Sequence, residues 1–274
     1  MDVQIPLMLF GVLASIGSSL LAFASLAVFK AAERKGVGLA IAVSLALMVV
    51  GGICSVFHLG HPANFMAAVG HLGSLSGISL ELIFLGVCVL AGLVLLVCVR
   101  RGNEGASKVF AVVSIVAALL LGFFLGHGYM VEARAGWNTM AMPLAFLFVG
   151  LVGGAFVFEL IAKVPGDSDT GKLVNRCAAA CAVLAFVASV VYAVQVSALA
   201  PDAVLVAALA ALLGGVVPLA CAVAGMRRRS AASVAVGALS ACVAAFAIRI
   251  ALFVAGVPFI DAFAQAIANR GLFM

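Results

Sequence analysis

His58, in the stretch His58-Leu59-Gly60-His61-Pro62, and Glu81 frame an uncharged segment of an otherwise apolar chain. An imidazole titrates close to neutrality, and a carboxylate at an apolar boundary is a second group suited to taking up protons there. Arg249, far along the chain, adds a permanent cation. Three of the four histidines fall within 58–71. These residue types suit proton transfer to and from an apolar molecule that carries polar oxygens.

The elements that position them are membrane helices. Hydrophobic residues make up 66% of the chain and charged residues 9%. The mean hydropathy of +1.35 lies far from a water-soluble domain, whose apolar share is about 45–50%. Apolar runs near 5–29, 37–57, 79–99, 108–127, 140–162, 177–200, 203–225 and 231–255 each approach the roughly 20 residues that cross a bilayer as a helix. Period-2 alternation, the mark of a membrane β-barrel, is absent. The expected fold is all-α: one polytopic bundle of eight transmembrane helices over 1–274. Asp2 replaces the basic start of a signal peptide, and the first run is too long for one, so it reads as a retained helix.

The net charge of +5 is distributed by loop. Lys30, Arg34 and Lys35, then Arg100, Arg101 and Lys108, then Lys163, Lys172 and Arg176, then Arg227, Arg228 and Arg229 occupy alternate loops. The other loops hold Arg134, and the C-terminal tail Arg270. By the positive-inside rule the four basic loops are cytoplasmic, which places both termini outside in the cytoplasmic (inner) membrane. The basic charge therefore reports topology, and no nucleic-acid partner is expected.

Topology assigns depths. His58 ends the second run and Glu81 lies within about the first turn of the third, both at the outer end. His127 and Tyr129 end the fourth run, and Gln195 lies in the outer third of the sixth. Arg249, about nineteen residues beyond Arg229, sits roughly 28 Å along the last helix at 1.5 Å per residue. Polar groups from several helices are thus expected to converge on one outer pocket.

Each has a structural alternative. His58 can cap its helix, Arg249 can snorkel to headgroups, and Gln195 can join helices by hydrogen bonding. Trp137 and Tyr129 fit an interfacial aromatic belt, and His61 and His71 read as loop residues. Glu81 has no such ready role, since an acid early in a membrane helix is costly unless paired or functional. Glu159, near the inner end of its helix, is read as structural, with Lys163 four residues on as an i,i+4 partner. The seven cysteines, at 54, 88, 98, 177, 181, 221 and 242, lack a C-x-x-C pattern and read as small hydrophobes with no metal bound. Gly51-Gly52, Gly150-x-x-x-Gly154, Gly153-Gly154 and Gly214-Gly215 mark close helix contacts.

A lipid-facing pocket with an imidazole, a carboxylate and a cation suits a quinone headgroup. Quinol oxidation releases two protons, which His58 and Glu81 can accept, while Arg249 can stabilise charge developing on a ring oxygen. His58-Leu59-Gly60-x-Pro62, followed by a serine- and glycine-rich loop to Glu81, resembles the membrane anchor subunit of dimethyl-sulfoxide-reductase-type enzymes (DmsC-like). Ile5-Pro6-Leu7-Met8-Leu9-Phe10, Trp137 with Met142-Pro143, the Gly153-Gly154 pair and Arg249-x-x-x-Phe253 resemble further parts of that family. The resemblance implies eight spans and a menaquinol-oxidising anchor that is not a complete enzyme alone. It implies partners: a four-cluster iron–sulfur subunit and a molybdopterin catalytic subunit. Menaquinol and menaquinone enter as substrate and product, with no haem. His58 and Glu81 are the catalytic candidates, and Arg249, His127, Gln195 and Tyr129 join them as quinol-binding candidates. Here Ile248 and Ile250 replace the glycines that flank the family's arginine.

The residues also allow two other readings. A haem b anchor needs axial histidines on facing helices, for which His58 and His127 are the available pair. A secondary transporter tends to show internal repeats and broken helices near the midplane; Pro218 is the one proline deep inside a run.

Overall fold

Backbone groups in lipid have no water to pair with, so each apolar run must satisfy itself as a helix. The computed structural model of the chain describes residues 5–30, 34–57, 65–163, 168–227 and 230–271, without the side chains of 34, 35, 67, 68, 227 and 257–271. Among the described residues the fold is all-helical. The elements are α1 (Ile5–Val28), α2 (Arg34–Phe57), a short α3 (Phe65–Gly70), α4 (Gly77–Arg101), α5 (Glu104–His127), α6 (Ala141–Ala162), α7 (Asp169–Val196), α8 (Pro201–Ala211), α9 (Val217–Arg227) and α10 (Ala231–Gly271). Eight helical segments are long and apolar enough to cross a membrane, α8 and α9 together forming the seventh.

Local chemistry moves several boundaries outward from the apolar runs. Ser76 caps α4 by accepting from the Ser79 amide at 3.3 Å, so the helix begins at Gly77 and Glu81 falls in its second turn. Asn103 and Ser168 cap α5 and α7 in the same way, drawing polar residues into both first turns. Such caps satisfy amides that the helix itself leaves without partners. α10 continues to Gly271, about 60 Å at 1.5 Å per residue. The segment around Arg270, expected as a tail beyond the last span, is therefore helical.

The seventh span changes its hydrogen-bond register. Leu212–Val216 forms a π turn in which the Val217 amide reaches back to the Leu212 carbonyl. Pro218, just beyond it, brings no amide to the ladder. The Ser240 hydroxyl of α10 donates to the Leu213 carbonyl at 2.6 Å, taking up a backbone acceptor in this segment. The span bulges here without breaking.

α1 lies at the centre, with 83% of its apolar window buried against 33% for α4. Its small residues Ala14, Ser15, Gly17, Ser18, Ser19, Ala22 and Ala24 are buried on all sides, so neighbours can close in around it, as membrane packing favours. α2, α5 and α6 all pack on it. A Cβ on Gly150 would strike Ser15, and one on Gly154 would strike Ser19 and Leu20. α1 and α6 therefore run parallel in near contact. The expected close approaches at Gly51, Gly214 and Gly215 are present too, against Phe10, Val149 and Phe186 respectively. All seven cysteines are free thiols, Cys88 fully buried and the others partly so.

Candidate functional site

The inward face of α4 carries Glu81, Cys88, Ala91, Gly92 and Leu95; the last four are buried, and Glu81 is partly buried. This spacing puts the carboxylate on the helix stripe that faces the bundle. Across from it, α5 ends at His127 and the chain turns. The Gly128 amide donates to the Phe124 carbonyl at 3.0 Å, the Tyr129 amide to Gly126 at 3.1 Å, and the Met130 amide to His127 at 2.9 Å. A Cβ on Gly128 would lie 2.7 Å from Oε1 of Glu81, and one on Gly77 would lie 2.5 Å from the Gly128 Cα. The carboxylate thus rests on bare backbone.

Arg249 reaches the same region from α10. It is 3% exposed, so it does not snorkel to a headgroup. Its Nη2 donates to the Gly11 carbonyl of α1 at 2.6 Å, and its guanidinium carbon lies 4.3 Å from the centroid of the Phe146 ring of α6. The group fills the volume that a Cβ on Gly11 would occupy. A cation over an aromatic face gains electrostatically, more so where water is excluded.

Tyr129 joins the two. Its ring meets Trp137 edge-on at 5.7 Å and Phe253 at 6.3 Å. Burial holds its phenol well above the ordinary tyrosine range; the Glu81 carboxylate pushes the same way and the Arg249 guanidinium opposes them. Tyr129 therefore stays protonated near neutral pH, a neutral donor close to an acid and a cation. Trp137 is no belt residue: it is 8% exposed, its Nε1 donates to the Leu252 carbonyl at 2.7 Å, and Arg134 covers its ring at 4.0 Å. The Tyr192 hydroxyl pins the same segment by donating to the Gly136 carbonyl at 3.3 Å. The 128–140 segment is thus tied to α7 and α10 at several points.

The other candidates are placed differently. Gln195 is exposed and accepts a hydrogen bond from the Thr139 hydroxyl, so it joins α7 to the start of α6. His127 packs between Phe123 and Phe124, at 5.6 and 5.4 Å, and Phe124 stacks on Phe84 of α4 at 5.2 Å. Gly122 and Gly126 face Leu147 and Pro143 of α6, and at 100° per residue His127 points about 120° away from that direction. Its Nδ1 is buried without a hydrogen-bond partner. His58 and His61 lie outside the described residues; Phe57, which precedes them, is 70% exposed at the end of α2. His71 is exposed in the turn before α4, its carbonyl accepting from the Ser79 hydroxyl at 3.3 Å. Gly11, Gly128 and Phe146 were not singled out by residue type, because a carbonyl, a missing methyl and a core ring leave no polar signal.

A family model described as DMSO reductase anchor subunit (DmsC) matches residues 1–254. The chain belongs to this family. No curated protein matches it. Membership makes the chain the membrane anchor of a DMSO-reductase-type complex, a multi-pass protein that works with a catalytic subunit and an iron–sulfur subunit. In that setting, an acid, a phenol and a cation gather at one end of the DmsC bundle, in the membrane component of a reductase complex.

Proposed function

We propose that this subunit oxidises a quinol, menaquinol in the simplest form, and passes its electrons to the iron–sulfur subunit of the complex. The observation that supports this reading best is the meeting of Glu81, Tyr129 and Arg249 at one end of an apolar bundle, in a chain of the anchor family. The quinol loses two electrons and two protons and leaves as the quinone. Glu81 and His58 take the protons as the two ring O–H bonds break, and hand them to water at that end of the bundle. Arg249 favours negative charge developing on a ring oxygen, and the Tyr129 hydroxyl donates to an oxygen and orients the ring. The electrons leave through a four-cluster iron–sulfur subunit to a molybdopterin catalytic subunit. The anchor sits in the cytoplasmic membrane with both termini outside.

The test uses the assembled complex in membranes, with reduction of the terminal acceptor driven either by a menaquinol analogue or by an artificial dye that feeds the catalytic subunit directly. His58→Ala and Glu81→Gln are expected to cut the quinol-driven rate at least about 100-fold, within the range for loss of a proton-transfer group, while the dye-driven rate stays within twofold. Normal quinol-driven turnover in either variant would overturn the reading.

A further inference from the structure

Arg249 and Glu81 are a cation and an acid at the same end of the bundle that act on each other electrostatically, yet among the described residues they form no direct ion pair. Whenever the acid ionises, opposite charges in poorly screened surroundings attract strongly, so something must hold the two groups apart. Two glycines do so. The guanidinium occupies the space of the missing Gly11 Cβ and is bonded to the Gly11 carbonyl at 2.6 Å, with Phe146 beneath it. The carboxylate oxygen rests against Gly128, whose amide is fixed to the Phe124 carbonyl at 3.0 Å and whose Cα is pressed on Gly77. α1 holds the cation and the end of α5 holds the acid, so each charge is tied to a different element. The segment that follows Gly128 is itself anchored through Trp137 and Tyr192.

We propose that Gly11 and Gly128 are positioning residues that keep Arg249 and Glu81 apart as a split ion pair, so that a two-oxygen ring is received between cation and acid. The inference rests on the quinol reading and deepens it. The substrate it selects is an apolar ring with a proton to give at one pole and an oxygen able to carry negative charge at the other. Filling the Gly11 seat drives the guanidinium out, and the neighbouring acid among the described groups is Glu81. The pair then closes on itself, and the ring loses both of its partners at once.

This outcome separates positioning from packing. A glycine needed merely for fit loses stability and activity together when a methyl is added. Gly11→Ala in the assembled complex is instead expected to keep its dye-driven rate within twofold and its heat-denaturation midpoint at or above that of the parent. Its quinol-driven rate should fall at least tenfold, chiefly through a raised KM. Gly11→Ala combined with Glu81→Gln should lose that thermal advantage, because the collapsed pair no longer exists. Phe146→Leu removes the ring beneath the guanidinium without adding bulk, and should raise KM severalfold with assembly intact. Quinol kinetics within twofold of the parent in Gly11→Ala overturn the proposal. If Gly11→Ala fails to assemble, an unchanged KM in Phe146→Leu overturns it. Should Glu81→Gln alone leave quinol oxidation intact, the quinol reading itself fails; a crippled Glu81→Gln beside a normal Gly11→Ala removes the split pair alone.

Discussion

Arg249 and Glu159 are equally buried, each 3% exposed, and each sits inside a membrane-spanning helix. Their company differs. Arg249 is met by a carbonyl from α1, a ring from α6, and the charge and phenol of Glu81 and Tyr129. Glu159 lies nine residues after Gly150 on α6, about 180° around the helix from the face that meets α1, three residues before the end of α6. That end is made by Lys163, exposed and in a left-handed conformation at φ 48°. Burial of a charge says that it is tolerated at a cost of a few kcal/mol. Convergence of several elements on it says that it is used. On that ground Arg249 belongs to a site.

The comparison breaks most easily at the charges themselves. Arg249→Lys keeps a cation but loses the planar fork that bonds Gly11 and lies over Phe146. Its quinol-driven rate is expected to fall about tenfold, or about 1.4 kcal/mol, while Glu159→Gln stays within threefold. Parallel quinol-driven and dye-driven assays on the two complexes decide it, and an equal loss in Glu159→Gln would end the distinction.

A smaller effect tests the scaffold on which both rest. Gly154 of α6 meets Ser19 and Leu20 of α1 with no space for a methyl. Gly154→Ala should therefore cost about 1–3 kcal/mol by overpacking, read as a lowered denaturation midpoint. Its dye-driven and quinol-driven rates should fall in proportion to the amount of assembled complex. A selective loss of quinol oxidation would mean that the α1–α6 contact shapes the site as well as the fold.

Most of the helical frame is legible in the residues because lipid leaves so little choice: runs of apolar residues must be helices, and charge marks their ends. What the runs do not show is where polar residues extend a helix. Asp169 and Thr170 sit inside α7 because Ser168 caps it, and Glu81 is about half a turn deeper than the apolar run suggests because Ser76 does the same for α4. For the site, Glu81 and Arg249 stand out by type, since a charge in a membrane helix demands a reason. His127 and Gln195 give a similar signal, yet Phe123 and Phe124 enclose the one and Thr139 engages the other. Those outcomes depend on the angular position of each residue and on its neighbours from other helices, which a single sequence does not specify. Gly11 lies 238 positions from Arg249, and nothing in its type points to a guanidinium.

The two caps also give the finest test of the comparison. Ser76 and Ser168 perform the same local task, each accepting from an amide three residues on, at 3.3 and 3.0 Å. Ser76 begins the helix that carries Glu81, while Ser168 begins the helix that follows α6 in the chain and packs along it. Replacing either by alanine removes a helix cap and should cost about 1 kcal/mol, so the two variants should show similar small losses in denaturation midpoint. Their kinetics should differ. Fraying at the start of α4 loosens the backbone one turn from the carboxylate, and Ser76→Ala should raise KM for the quinol about two- to threefold. Ser168→Ala should leave it unchanged, because the loosened turn lies at the other end of α6 from Phe146. Equal KM values in the two variants, at equal loss of stability, would show that the acid is held by Gly128 and Gly77 alone and owes nothing to the order of its own helix.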